Sequence, residues 1–128
     1  MLIDDDEWIR DSLTLFFESE QCHLNAVETA DEGLKSLRGQ RYDIVITDYW
    51  LPGMNGLEFF KRIFETNRNA IKILITAHGS PEISEEAKKL HVHALIAKPF
   101  SSNTVVNVLS QLLETDGRRP NEQNTYCR

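Results

Sequence analysis

The chain has 128 residues, 41% of them hydrophobic, and a formal net charge of −6. That is the size of one domain with a real core, which excludes a disordered chain. The acidic balance argues against direct nucleic-acid binding, and no apolar run nears the roughly 20 residues of a membrane helix, so a cytoplasmic protein with no membrane partner is expected.

Met1, Leu2 and Ile3 form a short apolar run that ends in Asp4, Asp5 and Asp6. Strands usually have about five or six residues, so this one is expected to be unusually short or to lack residues at its start. Ile9, Leu13, Phe16 and Phe17 then recur at helical spacing. Cys22 to Glu28 alternates as a strand does. Thr29 and Glu32 have capping-box spacing ahead of Leu34 and Leu37, and Gly39 closes that helix. Asp43 to Thr47 is a β-branched run read as a buried strand. A loop with Pro52, Gly53 and Gly56 follows, then an amphipathic helix carrying Leu57, Phe60, Ile63 and Phe64.

Ile71 to Thr76 reads as a second buried strand. Ser80-Pro81 supplies a cap and an N1 proline for a helix with Ile83, Ala87 and Leu90. Ala94 to Ala97 is a short strand, and Ser102 opens a last helix with Val105, Leu109 and Leu112. One domain is expected over 1–115, with 116–128 a polar tail or the start of a linker. Five strands alternating with five helices imply an α/β fold, a doubly wound parallel sheet with helices on both faces. The two cysteines, Cys22 and Cys127, are not expected to form a structural disulfide, and the four histidines form no strong metal pattern.

The polar residues at the carboxyl ends of these strands are the informative ones. The first strand delivers Asp4 and Asp5, the third Asp48, the fourth Thr76 and the fifth Lys98. In open parallel sheets the ligand crevice lies outside those ends, so residues far apart in sequence converge there. Carboxylates sharing a cleft repel unless a cation joins them, and hard oxygens suit Mg2+, which often bridges to phosphate. A carboxylate beside such a cation and a lysine suits phosphoryl acceptance, with Lys98 and the Thr76 hydroxyl on the phosphoryl oxygens. Each residue alone has a plainer reading: helix-start acids, a turn aspartate, a strand threonine, a surface lysine. Their joint placement at strand ends is what those readings leave unexplained.

Four segments carry a family resemblance. Leu2-Ile3-Asp4-Asp5-Asp6 with Arg10 resembles the acidic opening of response-regulator receiver domains. Asp43 to Gly56 resembles their acceptor strand and loop, Ile73 to Gly79 the switch-threonine segment, and Ala97-Lys98-Pro99-Phe100 the lysine-proline segment. The resemblance covers residues 1 to about 115 in order. It implies a flavodoxin-like sheet of order 2-1-3-4-5, Asp48 as phosphoacceptor, and Mg2+ held by Asp5, Asp4, Asp48 and the backbone carbonyl of Trp50. Thr76 and Lys98 would contact the phosphoryl group, and the Lys98-Pro99 peptide would be cis. The implied partners are a sensor histidine kinase or phosphotransfer protein, an output domain or downstream protein, and a second copy through the fourth and fifth helices. The domain is expected to act as a switch that assists its own phosphotransfer rather than as an enzyme.

Two departures stand out. The position three before the lysine usually holds Tyr or Phe, and here it is Leu95. Trp50 and His78 stand at the positions that in the family tune acyl-phosphate hydrolysis; shielding by Trp50 predicts slow self-dephosphorylation, and His78 would do the opposite by orienting water or admitting a partner. The plainer reading is that both are surface side chains at the mouth of the cleft. The rival readings are a degenerate receiver that binds partners without phosphorylation, a Mg2+-dependent phosphatase, and a flavin binder. The phosphatase lacks its second acid, since Trp50 holds that place, and the acidic first loop would repel a flavin phosphate.

Overall fold

The computed structural model describes residues 1–115. Its elements are β1 (Leu2–Ile3), α1 (Glu7–Ser19), β2 (Ala26–Val27), α2 (Ala30–Gly39), β3 (Ile44–Asp48), α3 (Gly56–Ile63), β4 (Ile71–Thr76), α4 (Pro81–Lys89), β5 (Ala94–Ala97) and α5 (Ser102–Thr115). The strands form one parallel sheet of order β2-β1-β3-β4-β5, the order the resemblance implies.

Alternate strand residues point to opposite faces of the sheet, and each face has its own core. Ile3, Val45 and Leu74 lie on one side with Leu57, Phe59, Phe60 and Ile63 of α3 and Ala87 of α4. Leu2, Ile46, Ile73 and Ile75 lie on the other with Leu13 and Phe17 of α1 and Val105 and Leu109 of α5. Both faces of β3 and β4 are covered, which fits their mostly apolar sequences, with Lys72 the exception inside β4. Close packing of α2 needs Gly33, where a Cβ would sit 2.6 Å from Ile3 Cδ1.

The helix starts follow local chemistry. Thr29, Asn55 and Ser80 each accept from the backbone N–H three residues on, at 3.1, 2.9 and 3.2 Å. In the expected capping box Thr29 also donates its hydroxyl to Glu32 Oε1 at 3.2 Å. Asp6 caps α1 by accepting from the Trp8 N–H at 2.9 Å.

One expectation needs correction. Cys22 to Glu28 is not a strand throughout; only Ala26 and Val27 pair. An edge strand needs a neighbour to pair with, and β1 offers two residues, Leu2 against Ala26 and Ile3 against Val27. Cys22 is buried, and the expectation about its pairing with Cys127 falls on a residue outside those described. Cys127 and the expected polar tail lie outside the described residues. Among the described residues no helix is long and apolar enough to cross a membrane.

Candidate phosphoryl and metal site

The carboxyl ends of β1, β3, β4 and β5 meet at one edge of the sheet. Asp4 follows β1 directly and is fully buried, while Asp5 beside it is exposed. Asp48 closes β3 and is 4% exposed. One carboxylate oxygen from each of Asp4, Asp5 and Asp48 lies within 4.8 Å of the others. Lys98, just past β5, donates from Nζ to Asp48 Oδ2 at 3.0 Å and stands 3.7 Å from Asp4 Oδ2.

The acidic opening divides its work. Asp4 Oδ1 accepts from the Asp6 N–H at 2.9 Å, and Arg10 Nη1 donates to the Asp4 carbonyl at 2.8 Å, so α1 grips the loop. Asp6 caps the helix, so the plain helix-start reading holds for that acid. Asp4 Oδ2 is buried with no hydrogen-bond partner among the described residues. Burial pushes the Asp4 carboxyl up to about 6; the Asp6 N–H and Lys98 pull against this and the Asp48 charge adds to it. Burial likewise raises Asp48 above the usual carboxylate range, held back by the hydrogen bond from Lys98. Burial pulls the Lys98 ammonium down, but its bond to Asp48 and the charges of Asp4 and Asp48 outweigh that and raise it.

Thr76 ends β4 and is 3% exposed. Its carbonyl accepts from the Lys98 N–H at 3.0 Å, and its hydroxyl accepts from the His78 N–H at 3.2 Å. The register sets Asp48 opposite Ile75, one residue before Thr76. The Lys98-Pro99 peptide is cis, as the resemblance implies. The loop after Asp48 closes through the Tyr49 N–H to Ile75 and the Gly56 N–H to Tyr49, at 2.7 and 2.8 Å. Gly56 is required there, because a Cβ would lie 2.6 Å from the Asp48 carbonyl oxygen and 2.7 Å from Leu74 Cδ1. Gly53 supplies the positive φ, 81°, in the same loop.

The residues expected to tune or switch the site lie further out. The Trp50 side chain is 62% exposed, with its ring edge-on to Tyr49 at 5.2 Å. Its backbone N–H favours the ionised Asp48. His78 is exposed, and Leu95 is 40% exposed on β5. The sequence reading missed a cavity of about 550 Å³ beside Lys98, walled by Trp8, Ile9, Leu13, Pro99 and Phe100. It forms between α1 and the β5–α5 loop, and the signal available was Trp8 on the outer side of α1, where it is 78% exposed. A buried acid pair, an exposed third acid and a lysine can hold a hard cation and receive a phosphoryl group.

Comparison with known proteins agrees with this geometry. The family model described as the response regulator receiver domain matches residues 1–110. The C4-dicarboxylate transport transcriptional regulatory protein DctD of Rhizobium meliloti is 32% identical over 105 residues, 82% of this chain and 23% of that protein. Sporulation initiation phosphotransferase F of Bacillus subtilis is 28% identical over 88% of this chain and 91% of its own length. The chain spans about half or less of several transcriptional regulators it matches. A CheY-like receiver domain protein from Methanospirillum hungatei superposes with a TM-score of 0.85 at 26% identity, over 91% of this chain and 93% of that one. The chain belongs to the response regulator receiver domain family.

Proposed function

We propose that Asp48 is the phosphoacceptor of a two-component switch. The observation that carries this is the buried Asp48 carboxylate, hydrogen-bonded to Lys98 at 3.0 Å and grouped with Asp4 and Asp5. Mg2+ fits the group: the donors are hard carboxylate oxygens, and buried Asp4 Oδ2 lacks a hydrogen-bond partner among the described residues. Asp4, Asp5, Asp48 and the Trp50 carbonyl would hold it. When bound, the ion supplies positive charge against the carboxylates and the phosphoryl oxygens.

The chain's own residues do the rest. A carboxylate oxygen of Asp48 attacks phosphorus in line; the new O–P bond forms as the bond to the donor breaks, and its electron pair leaves with the donor, the imidazole of a phosphohistidine. Lys98 then turns its ammonium to the phosphoryl oxygens, and the Thr76 hydroxyl donates to one of them. Recruiting Thr76 biases the face of α4, β5 and α5, which carries Leu95, toward an output domain, a downstream protein or a second copy. The receiver unit is 1–115, acting in the cytoplasm with a histidine kinase or phosphotransfer protein as donor and with no nucleic acid bound directly.

Intact-protein mass spectrometry after incubation with acetyl phosphate and Mg2+ tests the reading. One phosphoryl adduct that needs Mg2+ and is absent from Asp48→Asn is expected. A folded protein without an adduct would favour the second reading, a degenerate receiver that binds partners unphosphorylated; the motive for it is Leu95 in the usual aromatic position and a two-residue β1.

A further inference from the structure

All six residues of β4 are buried, and one of them is a lysine. Lys72 is 2% exposed. Its Nζ donates to the carbonyls of Asn67 at 3.0 Å and Ala70 at 3.2 Å. Among the described residues no carboxylate stands within ion-pair distance of it. Burial pulls its pKa down and no acid offsets that. A buried cation without counter-charge is costly, and among the described residues two carbonyls leave one N–H of the ammonium unused.

A cavity of about 330 Å³ opens on Lys72 at the amino-terminal end of β4 and β5, lined also by Phe64, Arg68, His91 and His93. Among the described residues, every side chain of the lining but that of Phe64 bears a nitrogen donor and none bears a carboxylate, in a chain of net charge −6. His93 Nδ1 accepts from the Lys72 N–H at 3.0 Å, which leaves Nε2 as its ring donor. The His91 ring lies 5.6 Å from that of Phe64, on a backbone held at φ 58°. Arg68 meets Glu65 at 3.2 Å, both exposed, a pairing weak enough in water for the guanidinium to turn inward.

We propose that this cavity binds a small oxyanion of the phosphate class, which supplies Lys72 with its counter-charge. Lys72 provides the buried donor, Arg68 the planar fork that suits tetrahedral oxyanions, and the histidines the far wall. The volume matches the small end of ligand sites, about 300 Å³. The cavity is separate from the phosphorylation site: Lys72 and Thr76 are four residues apart on one strand, about 13 Å at 3.3 Å per residue.

The test is a 1H–15N NMR titration of the full chain with inorganic phosphate, without Mg2+ and at constant ionic strength, with chloride and acetate as parallel arms. Saturable shifts are expected at the amides of Phe64, Arg68, Lys72, His91 and His93, unchanged in Asp48→Asn. Lys72→Met should weaken binding about tenfold or more, as loss of a charged donor does. Arg68→Gln, at an exposed position that leaves the fold intact, should weaken it roughly threefold to tenfold. Shifts that never saturate, equal affinity in Arg68→Gln and the parent, changes confined to Thr76 and Lys98, or saturation by acetate but not phosphate would each overturn the assignment.

Discussion

Asp4→Asn should make the metal-free protein more stable while removing one of the carboxylates proposed to hold Mg2+. The Asp4 carboxyl stands at about 6 against an ordinary 3.8, chiefly because it is buried. A difference of about two units is about 3 kcal/mol at 1.36 kcal/mol per unit. The folded chain binds this proton more tightly than the unfolded chain. The penalty is therefore absent below about pH 3.8, grows as pH rises between 3.8 and 6, and is complete above about 6. Asparagine keeps an oxygen for the Asp6 N–H but brings an amide group near Lys98, 3.7 Å from Asp4 Oδ2. Part of the penalty is thus recovered, about 1–2 kcal/mol at pH 7.5, or roughly 4–7 °C in Tm. Urea and thermal unfolding in EDTA at pH 7.5 and pH 4 would measure it. The gain should shrink toward zero at pH 4, and added Mg2+ should raise the parent's midpoint but not the variant's. A variant no more stable than the parent at pH 7.5, or equally stabilised at both pH values, would refute the account of Asp4.

Three further outcomes are expected. Gly56→Ala drives a Cβ to 2.6 Å from the Asp48 carbonyl and should cost about 1–3 kcal/mol by urea denaturation, with a lower adduct yield because the acceptor loop shifts. Lys98→Ala removes the donor to Asp48 Oδ2 and should lower acetyl-phosphate labelling by about tenfold or more, with far-ultraviolet circular dichroism unchanged. Trp50→Ala, at a 62% exposed side chain, should change stability by less than about 0.5 kcal/mol but shorten the lifetime of the phosphorylated form, followed by decay of the adduct mass.

The fold was legible where local chemistry and burial agree. Ile71–Thr76 and Ala94–Ala97 are strands with the expected limits, and Thr29, Ser80 and Pro81 start helices where their side chains say. Cys22 to Glu28 misled because alternation marks a segment fit to pair, while pairing depends on what lies beside it; β1 has two residues to give. The strand-end residues Asp4, Asp5, Asp48 and Lys98 were legible because a parallel sheet gathers its carboxyl ends. Their unequal burial was not: adjacent Asp4 and Asp5 look alike in sequence, yet one is buried and the other exposed. Lys72 was missed for a related reason. A lysine inside an apolar run reads as strand, and its carbonyl partners at Asn67 and Ala70 come from the turn before it.

The hydrogen bonds around Thr76 also say which part of the site moves. Its backbone is tied to β5 by the Lys98 N–H and its strand is paired with β3, so the main chain is held on both sides. Its hydroxyl accepts one described bond, from the His78 N–H at 3.2 Å, in an exposed turn. Releasing that bond costs about 1 kcal/mol, less than the roughly 1.5–3 kcal/mol of a bond to a charged phosphoryl group. Phosphorylation should therefore draw the hydroxyl inward and leave the His78 amide without its acceptor, while the Lys98 amide keeps the Thr76 carbonyl. Amide exchange followed by NMR, with a stable phosphoryl mimic on Asp48, should show loss of protection at His78 and retention at Lys98. Protection kept at His78, or lost at both, would place the first movement elsewhere in the sheet.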